Sequence, residues 1–464
     1  MAQNGARHPA ARYGAALAIT LAAAFLVAAP LWTQTPGVLP AAGIVGFAIA
    51  MWATGAMPVH VTALVLFLAA VVLKIAPPEV VFSGFHSTAV WLVFGGIVLS
   101  LAAQRSGLAA RIVQTLITHL PARYFGMAAG VAVAGMLLGF VMPAASGRAV
   151  LMAPLAVAFA ASLGFEKNTR ARFGIVLAAG WGTTVPLFGV LPANVVNMAF
   201  VGASESIYGI GFTYFSYTLL NFPVMGLLGT FVMAGLVTLL FGAPPQKPET
   251  RAATAPPSGA EWRLAAILLL ALALWVTDVL HGISPGWVAL GAALLCVMPG
   301  IGIVPASALT SEINYSSWFF VAGVIGVGAI ANHTGLGAAI GNLVLDSVPL
   351  TPDGGLVTFY ELFAIGSAVS IVTTSPAAPP IMASFAEVIA QATHWPLRSV
   401  LLAQVPTWMI YALPHQAPPV AIAMALGGVP ISAGARLLVP YTIVGLVVLL
   451  PLQYLWGHAL GVYP

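Results

Sequence analysis

Arg148 is the residue of this sequence with the clearest capacity for chemistry. It lies in the apolar region 126–162, just past the break Pro143-Ala-Ala-Ser-Gly. An arginine at membrane depth costs about 2.5–3.5 kcal/mol on insertion scales, so it usually faces a cavity or a partner. Its guanidinium could fork onto a carboxylate or sulfate, or its fixed charge could stand in for a sodium ion. The alternative is a structural anchor that pairs with a backbone carbonyl or a lipid headgroup.

Other polar side chains occur where proline breaks an apolar stretch. Their hydroxyl, amide and imidazole groups could replace the water around an anion at mid-membrane. Threonine could instead bond back to its own helix, asparagine could cap the next helix, and histidine could carry a proton or satisfy carbonyls. The candidate substrate-binding residues are Ser146, Gly147, Arg148, Thr183, Thr184, Asn194, Thr373, Thr374, Ser375, His415 and Gln416. The prolines expected to shape the turns are Pro143, Pro192, Pro376, Pro418 and Pro419.

The remaining ionisable residues show no pattern typical of an enzyme. The glutamates do not cluster, and the sequence has no glycine-rich phosphate loop and no nucleophile–base arrangement. Asp278 is interpreted as an exposed acid at a helix end, with a proton relay as the alternative. Cys296 is the single cysteine, so it makes no intramolecular disulfide. We therefore expect no enzyme activity and no cofactor other than a coupling ion.

The composition excludes most classes of soluble protein. Of the 464 residues, 60% are apolar and 6% are charged, whereas a soluble domain carries about 25% charged residues. This excludes a soluble enzyme, a disordered chain and a nucleic-acid-binding domain. The apolar stretches are continuous over helix-length windows, unlike the alternating strands of a barrel. We expect an all-α polytopic protein of the cell membrane, most simply a bacterial inner membrane.

Apolar windows predict about eleven transmembrane helices and two interrupted segments. Because proline and glycine free backbone groups at membrane depth, a break at the same place in both halves points to a transporter binding site. We expect the interrupted segments, near 126–162 and 356–392, to form re-entrant hairpins. The predicted spans are 13–33, 40–56, 58–74, 86–104, 173–190, 212–241, 263–281, 285–300, 315–332, 399–413 and 434–456.

The two halves of the chain resemble each other, and their charges predict opposite orientations. Residues 103–125 hold three arginines and no acid, whereas 331–353 hold two aspartates and no lysine or arginine. By the positive-inside rule the first segment is cytoplasmic and the second is outside. The matching markers are Trp52-Ala-Thr54 with Trp275-Val-Thr277, Ser106-Gly-Leu108 with Thr334-Gly-Leu336, and Pro154 with Pro380.

These features predict four parts of the chain. They are an extra N-terminal helix in 1–39, a first repeat in 40–241 with a cytoplasm-facing hairpin, a cytoplasmic linker in 242–262, and a second repeat in 263–464 with an outward-facing hairpin. The N-terminus is then cytoplasmic and the C-terminus is outside.

Several motifs resemble the divalent anion:sodium symporter (DASS) family, which includes the INDY-type dicarboxylate, citrate and sulfate carriers. The first-half motifs are Met51-Trp-Ala-Thr-Gly-Ala-Met-Pro58, Ser83-Gly-Phe85 and Val90-Trp-Leu-Val-Phe-Gly-Gly96, and the second-half motifs are Trp318-Phe-Phe-Val-Ala-Gly323 and Leu413-Pro-His-Gln-Ala-Pro-Pro419. The resemblance implies eleven spans, two opposed hairpins, a homodimer and elevator-type movement of a transport domain.

The family carries a Ser-Asn-Thr triplet at each hairpin tip, which lines sodium and substrate sites. Here the corresponding positions read Ala144-Ala145-Ser146 and Ser370-Ile371-Val372, so one hydroxyl remains at each tip. The resemblance implies that a sodium ion would lie near Ala144, Ala145, Ser146 and Asn194.

Together these features predict a secondary active transporter of small anions, di- or tricarboxylates or sulfate-like ions, with sodium as a coupling ion. The alternatives are a sodium-independent exchanger and a proton-coupled carrier, and the more distant rivals are a membrane-embedded enzyme and a channel. The expected partners are a small anionic solute, membrane lipid and a second copy of the chain, without nucleic acid.

Overall fold

The computed structural model describes residues 9–28, 37–117, 119–121, 123–140, 142, 145–245, 256–373, 376–412 and 416–464. Within these ranges the chain forms helices and connecting turns and contains no strand. The expectation of an all-α protein is confirmed.

The α-helices fall into two consecutive series. In the first half they are α1 (Pro9–Ala28), α2 (Val38–Thr54), α3 (Val59–Val72), α4 (Pro78–Val81), α5 (Ser83–His86), α6 (Thr88–Ser106), α7 (Leu108–Ile117), α8 (Tyr124–Leu137), α9 (Ala145–Ser162), α10 (Arg170–Gly182), α11 (Val195–Tyr208), α12 (Tyr214–Asn221) and α13 (Gly229–Phe241). In the second half they are α14 (Gly259–Val276), α15 (Asp278–His281), α16 (Pro285–Val297), α17 (Ala308–Ser311), α18 (Ser316–His333), α19 (Leu336–Ser347), α20 (Leu356–Val372), α21 (Ala378–Ser384), α22 (Ala386–Thr393), α23 (Leu397–Ala403), α24 (Pro418–Gly427), α25 (Ile431–Val444) and α26 (Leu450–Ala459).

Shorter helical turns join or interrupt these helices. The 3₁₀ turns are Leu138–Phe140, Pro186–Gly189, Leu191–Ala193 and Val405–Trp408. The π-helical segments are Phe222–Leu228, between α12 and α13, and Gly445–Leu449, between α25 and α26. Pro223 lies in the first π segment and Pro451 follows the second. Because proline donates no backbone hydrogen bond, it locally disturbs the α-helical pattern.

Seven helical stretches of the described chain are long and apolar enough to cross a membrane: Thr88–Ser106, Ala145–Ser162, Arg170–Gly189, Tyr214–Phe241, Gly259–Val276, Ser316–His333 and Ile431–Ala459. Several shorter apolar helices of 10–17 residues, such as Val38–Thr54 and Val59–Val72, accompany them. This composition of helices confirms a polytopic membrane protein, while the number of eleven spans stays a prediction.

The paired sequence markers adopt the same local structure. The indole of Trp52 donates to the carbonyl of Val59 and that of Trp275 donates to Pro285, each at 3.1 Å, so each tryptophan ties a helix end to the start of the next helix. Gly107 and Gly335 have φ of 84° and 76° between successive helices, a left-handed conformation that glycine adopts without steric cost. These two marker pairs thus share their local structure, and the repeat with its inverted orientation stays a prediction.

Both interrupted segments are helical hairpins whose ends meet. In the first, α8 and α9 flank the break, and the ring of Tyr124 at the start of α8 lies 5.9 Å from that of Phe165, just after α9. In the second, α20 is followed by α21 and α22, and the backbone N–H of Asp353 donates to the carbonyl of Thr393 at 3.0 Å. The two ends of each interrupted segment therefore lie near each other, while re-entry into the membrane stays a prediction.

The chain divides into two compact units. One comprises the described parts of Met1–Val90, Met198–Gly211 and Asn314–Gln404, and its centre is α18. A side chain at Gly84 would come within 2.4 Å of the carbonyl oxygen of Ala322, so α5 lies directly on the α18 backbone.

The other unit comprises Trp91–Asn197, Phe212–Ile313 and Val405–Pro464, excluding the positions outside the described ranges. Its centre is α10, which is buried over most of its length and packs against α8, α9, α13 and α24. The first hairpin belongs to this unit and the second hairpin to the other.

The interpretation of Asp278 as an exposed acid is wrong. Its side chain is 2% exposed, and its carboxylate accepts hydrogen bonds from the backbone N–H groups of Tyr214 and Phe215. These are the first two residues of α12, whose N–H groups have no partner within the helix. Asp278 is therefore a buried cap supplied from a distant part of the chain.

Candidate anion-binding site

Arg148 lies in the first turn of α9 and is fully buried. Its Nε donates to the carbonyl of Thr183 at 2.8 Å, and its Nη1 donates to the carbonyl of Met142. Its Nη2 has no hydrogen-bond partner among the described residues. The arginine thus anchors two backbone carbonyls, as the structural alternative proposed, and retains an unused donor.

The two carbonyls belong to interrupted helical segments. Met142 lies in the bend of the first hairpin, and Thr183 is the C-terminal cap of α10, ahead of the 3₁₀ turn Pro186–Gly189. Carbonyl groups at helix ends have no intrahelical partner and carry the negative end of the helix dipole. The guanidinium therefore binds at carbonyl oxygens whose partial negative charge favours a cation.

Glycines allow the helices around Arg148 to approach closely. A side chain at Gly182 would come within 2.1 Å of the carbonyl oxygen of Ala132, and one at Gly135 within 2.9 Å of the backbone nitrogen of Thr183. Only hydrogen at these two positions lets α8 lie on the end of α10. This contact fixes the Thr183 carbonyl relative to the hairpin that carries Arg148.

No carboxylate balances Arg148 within the described part of its unit. Glu261 pairs with Arg111 at 2.7 Å and Glu312 pairs with Arg105. Asp278 caps α12, and Glu166 is exposed beyond the C-terminal end of α9. Because the N-terminus of α9 adds its own partial positive charge, the site carries uncompensated positive charge, which is costly to bury without a partner.

The threonines and asparagines after α10 are buried and serve the backbone. The hydroxyl of Thr183 donates to the carbonyl of Gly180 at 2.8 Å, and the hydroxyl of Thr184 lies 3.4 Å from the Thr183 hydroxyl. Asn194 accepts from the backbone N–H of Val196 at the start of α11, and its Nδ2 has no partner among the described residues. Asn197 donates to the carbonyls of the proline turn, including Val190 at 2.9 Å. Back-bonding and capping, the structural alternatives, are therefore observed.

Sequence reasoning missed a buried aromatic cluster next to this turn. The ring of Trp181 stacks on Tyr411 with centroids 6.0 Å apart and meets the Tyr441 ring edge-on at 4.1 Å. The indole N–H and both phenol groups have no hydrogen-bond partner among the described residues. Three distant segments supply these rings, so no local pattern in the sequence could have found the cluster.

At the tip of the first hairpin, the predicted residues face different surroundings. Ala145 is buried, Ser146 is exposed and Gly147 is half-buried, one turn from the buried Arg148. Pro143 and Ala144 lie outside the described residues. The sodium site expected near this tip and Asn194 stays a prediction.

The second hairpin lies in the other compact unit, so its candidates are described by themselves. The hydroxyl of Thr373 donates to the carbonyl of Val369 at 2.8 Å, while Thr374 and Ser375 lie outside the described residues. Ser367 and Ser370, one turn apart on α20, have buried hydroxyls without a partner in the described chain. Their spacing of three residues places both serines on the same face of α20, and the sequence pattern could have predicted this polar stripe.

The remaining candidates occupy the turns. Pro192 is buried in a 3₁₀ turn, Pro376 is half-buried, and Pro418 and Pro419 form the first turn of α24, where proline is well tolerated. Gln416 is half-buried just before α24, and His415 lies outside the described residues. Among the residues that the structure describes, no group of three His, Cys, Asp or Glu could hold a metal ion.

Comparison with known proteins places this arrangement in a transporter fold. A membrane protein of Cupriavidus necator is 25% identical over 345 residues, which are 69% of this chain and 67% of that protein. The crystal structure of the YdaH transporter of Alcanivorax borkumensis matches with a TM-score of 0.53 and 16% identity, over 83% of this chain and 89% of that one. At that identity the match shows a shared fold alone.

A family model described as CitMHS, citrate transporter, matches residues 49–427. The match covers most of the chain and includes α9, which carries Arg148, and α10, whose cap Thr183 binds it. Membership of the DASS family itself stays a prediction. The chain therefore belongs to the CitMHS citrate transporter family, and it is an integral membrane transporter for a small solute.

Proposed function

We propose that the protein is a secondary active carrier of small anions, with di- and tricarboxylates such as citrate as the first candidates and sulfate as the next. The observation that carries this proposal is the buried Arg148, whose Nη2 has no hydrogen-bond partner among the described residues and whose charge no carboxylate in the described part of its unit balances. The family's description as citrate transporters supports the same substrate class.

The site would replace the water around the anion with fixed donors. The Arg148 guanidinium offers its remaining N–H groups, which can bind a carboxylate more tightly than a neutral donor does. The free backbone N–H groups in the first turn of α9 add a positive helix end. The carbonyls of Thr183 and Met142 hold the guanidinium in place, so little side-chain freedom is lost when the anion binds.

The proposal includes alternating access by an elevator-type movement, which the family resemblance implies. In this scheme the anion neutralises the buried charge of Arg148. A divalent anion held on Arg148 then crosses the bilayer with one net negative charge instead of two, which lowers the cost of moving it through the membrane.

The test is uptake by purified protein reconstituted in vesicles, with labelled citrate, succinate and sulfate in parallel. We expect saturable uptake of at least one of these anions and its loss in Arg148→Gln, with Arg148→Lys keeping part of the affinity. Arg123→Gln is the matched control, because Arg123 is exposed just before α8, whereas Arg148 follows the bend at the other end of α8. Equal uptake by wild type and Arg148→Gln would refute the proposal.

A second candidate concerns the coupling ion, and the contacts of Arg148 favour it. Backbone carbonyls at the ends of broken helices are the groups that coordinate sodium in many carriers, and here two of them accept from a guanidinium. We infer that Arg148 acts as a built-in cation and that uptake needs no sodium. Replacing sodium by choline should leave uptake unchanged, and a requirement for sodium would contradict this candidate.

A further inference from the structure

A basic cleft opens at the far end of α9, in the same unit as Arg148. Its volume is about 640 Å³, and it lies where the loop after α9 meets the start of α10, the end of α13 and the start of α25. Its polar wall includes Thr169, Arg170 and Arg436, with Glu166 as the acid, and its apolar wall includes Leu239 and Phe241. Sixteen residues separate Arg148 from Gly164, which is about 24 Å along a helix, so the cleft is distinct from the candidate anion-binding site.

The start of α10 carries the wrong charge for a helix N-terminus. Arg170 is its first residue and Arg172 its third, and the first turn has no acid. The N-terminal end of a helix is itself positive, so a cation there costs roughly 0.3–1 kcal/mol and an acid is the usual choice. Lys167 just before the helix adds to this excess. An anion at this position would remove the repulsion.

The arginines of the cleft have no acidic partner in the part of the chain that the structure describes. Neither Arg170 nor Arg436 forms an ion pair within 4 Å in the described part of the chain, and both are exposed. The guanidinium carbon of Arg436 lies 6.0 Å from the centre of the Phe241 ring, which holds this side chain over the cleft. Two guanidinium groups and a helix N-terminus thus share one opening.

We propose that this cleft binds the phosphate group of an anionic phospholipid. Arginine forks bind phosphate through two parallel hydrogen bonds, and basic pockets between transmembrane helices are common lipid-headgroup sites. The cleft lies at the ends of four stretches long enough to span the membrane, which places it at headgroup level. Leu239 on its rim is 80% exposed and offers an apolar surface for an acyl chain.

The source of the phosphate can be tested directly with purified full-length protein. The melting temperature is measured with added phosphatidylglycerol, with phosphatidylcholine, and with inorganic phosphate alone. We expect phosphatidylglycerol to raise it by several degrees more than phosphatidylcholine does, and the difference to shrink in high salt. An equal rise with inorganic phosphate would overturn the lipid assignment, because the acyl chains would then add nothing.

Variants connect the effect to the cleft. The double variant Arg170→Gln with Arg436→Gln should lose at least half of the phosphatidylglycerol-specific shift. Arg263→Gln should keep it, because Arg263 is exposed on α14 and does not line the cleft. Native mass spectrometry counts retained lipids as a second readout that does not depend on stability. An unchanged shift and an unchanged number of bound lipids in the double variant would overturn the proposal.

Discussion

Arg148 holds two backbone carbonyls, and we propose that the same side chain also binds the transported anion. The sequence suggests two alternatives for Arg148, an anchor on backbone carbonyls or a ligand for an anion. The two roles are compatible because a guanidinium has enough N–H donors for both. It has five N–H donors. One nitrogen donates to Thr183, one donates to Met142, and the third has no partner among the described residues. A buried arginine anchored in this way is prepared for an anion without reorganisation.

The phenol of Tyr441, which has no hydrogen-bond partner among the described residues, leads to a prediction about a single side chain. If this hydroxyl is unsatisfied in the empty protein, Tyr441→Phe removes a buried polar group without changing the ring packing on Trp181. Such a change stabilises by about 1 kcal/mol or is neutral. We expect an unchanged or slightly higher melting temperature for the purified variant. A fall of several degrees would show that the hydroxyl is hydrogen-bonded after all.

The residue scale shows why parts of the site are predictable and others are not. Arg148 is conspicuous in sequence because charge is rare in an apolar segment, whereas the cluster of Trp181, Tyr411 and Tyr441 is formed by residues 30 and more positions apart. Asp278 was misjudged for the same reason. Its burial depends on α12, which lies more than sixty residues earlier in the chain.

At the scale of elements, close helix contacts decide the geometry around α10. Gly182→Ala would bring a methyl group within 2.1 Å of the Ala132 carbonyl oxygen. The backbone fixes the positions of both the methyl carbon and the oxygen, so neither can rotate away. We expect a fall in the melting temperature, corresponding to about 1–3 kcal/mol from overpacking, and loss of transport. The measurement is a thermal melt of purified protein.

Gly235→Ala is the control for that experiment. Gly235 lies within α13 and a methyl group there meets nothing within 4 Å. Alanine in a helix interior is favoured over glycine by about 0.5–1 kcal/mol, so this variant should melt at the same temperature or slightly higher. Similar losses in both variants would contradict the packing described for α8 and α10.

Removal of the cap that Asp278 provides to α12 gives a second prediction at the scale of elements. Asp278→Ala leaves the backbone N–H groups of Tyr214 and Phe215 without acceptors in a buried place. We expect a loss of about 1–3 kcal/mol, seen as a lower melting temperature, with Asp278→Asn retaining part of it. If Asp278 were an exposed acid, Asp278→Ala would not change the melting temperature. An unchanged melting temperature would therefore contradict the buried cap.

The hairpins were predictable as elements because proline and small residues interrupt long apolar regions. The π-helical segments were not, since Pro223 and Pro451 have the same local appearance as prolines in ordinary helices.

For the whole molecule, several polar contacts agree with the predicted sidedness. Arg105 with Glu312, Arg111 with Glu261, and Asp278 with the start of α12 each join span ends that the charge pattern places on the same side of the membrane. The same holds for Ser87, whose hydroxyl donates to Glu205 at 2.7 Å. These contacts support the order of crossings, and the direction relative to the cytoplasm stays a prediction.

Cysteine labelling tests that direction. In a Cys296→Ser background, single cysteines at Thr115 and Asp346 should react with a membrane-impermeant maleimide from opposite sides of intact cells or vesicles. The basis is the excess of arginine in 103–125 and of aspartate in 331–353. Labelling of both positions from the same side would contradict the inverted repeat.

The most direct test of the central claim, that Arg148 holds the transported anion, is equilibrium binding of citrate and succinate to purified protein. Losing one charge-assisted hydrogen bond costs about 1.5–3 kcal/mol, or roughly ten- to a hundredfold in affinity. Arg148→Gln should therefore weaken binding by that factor, while Arg123→Gln binds as the wild type does. Unchanged affinity in folded Arg148→Gln would contradict the account.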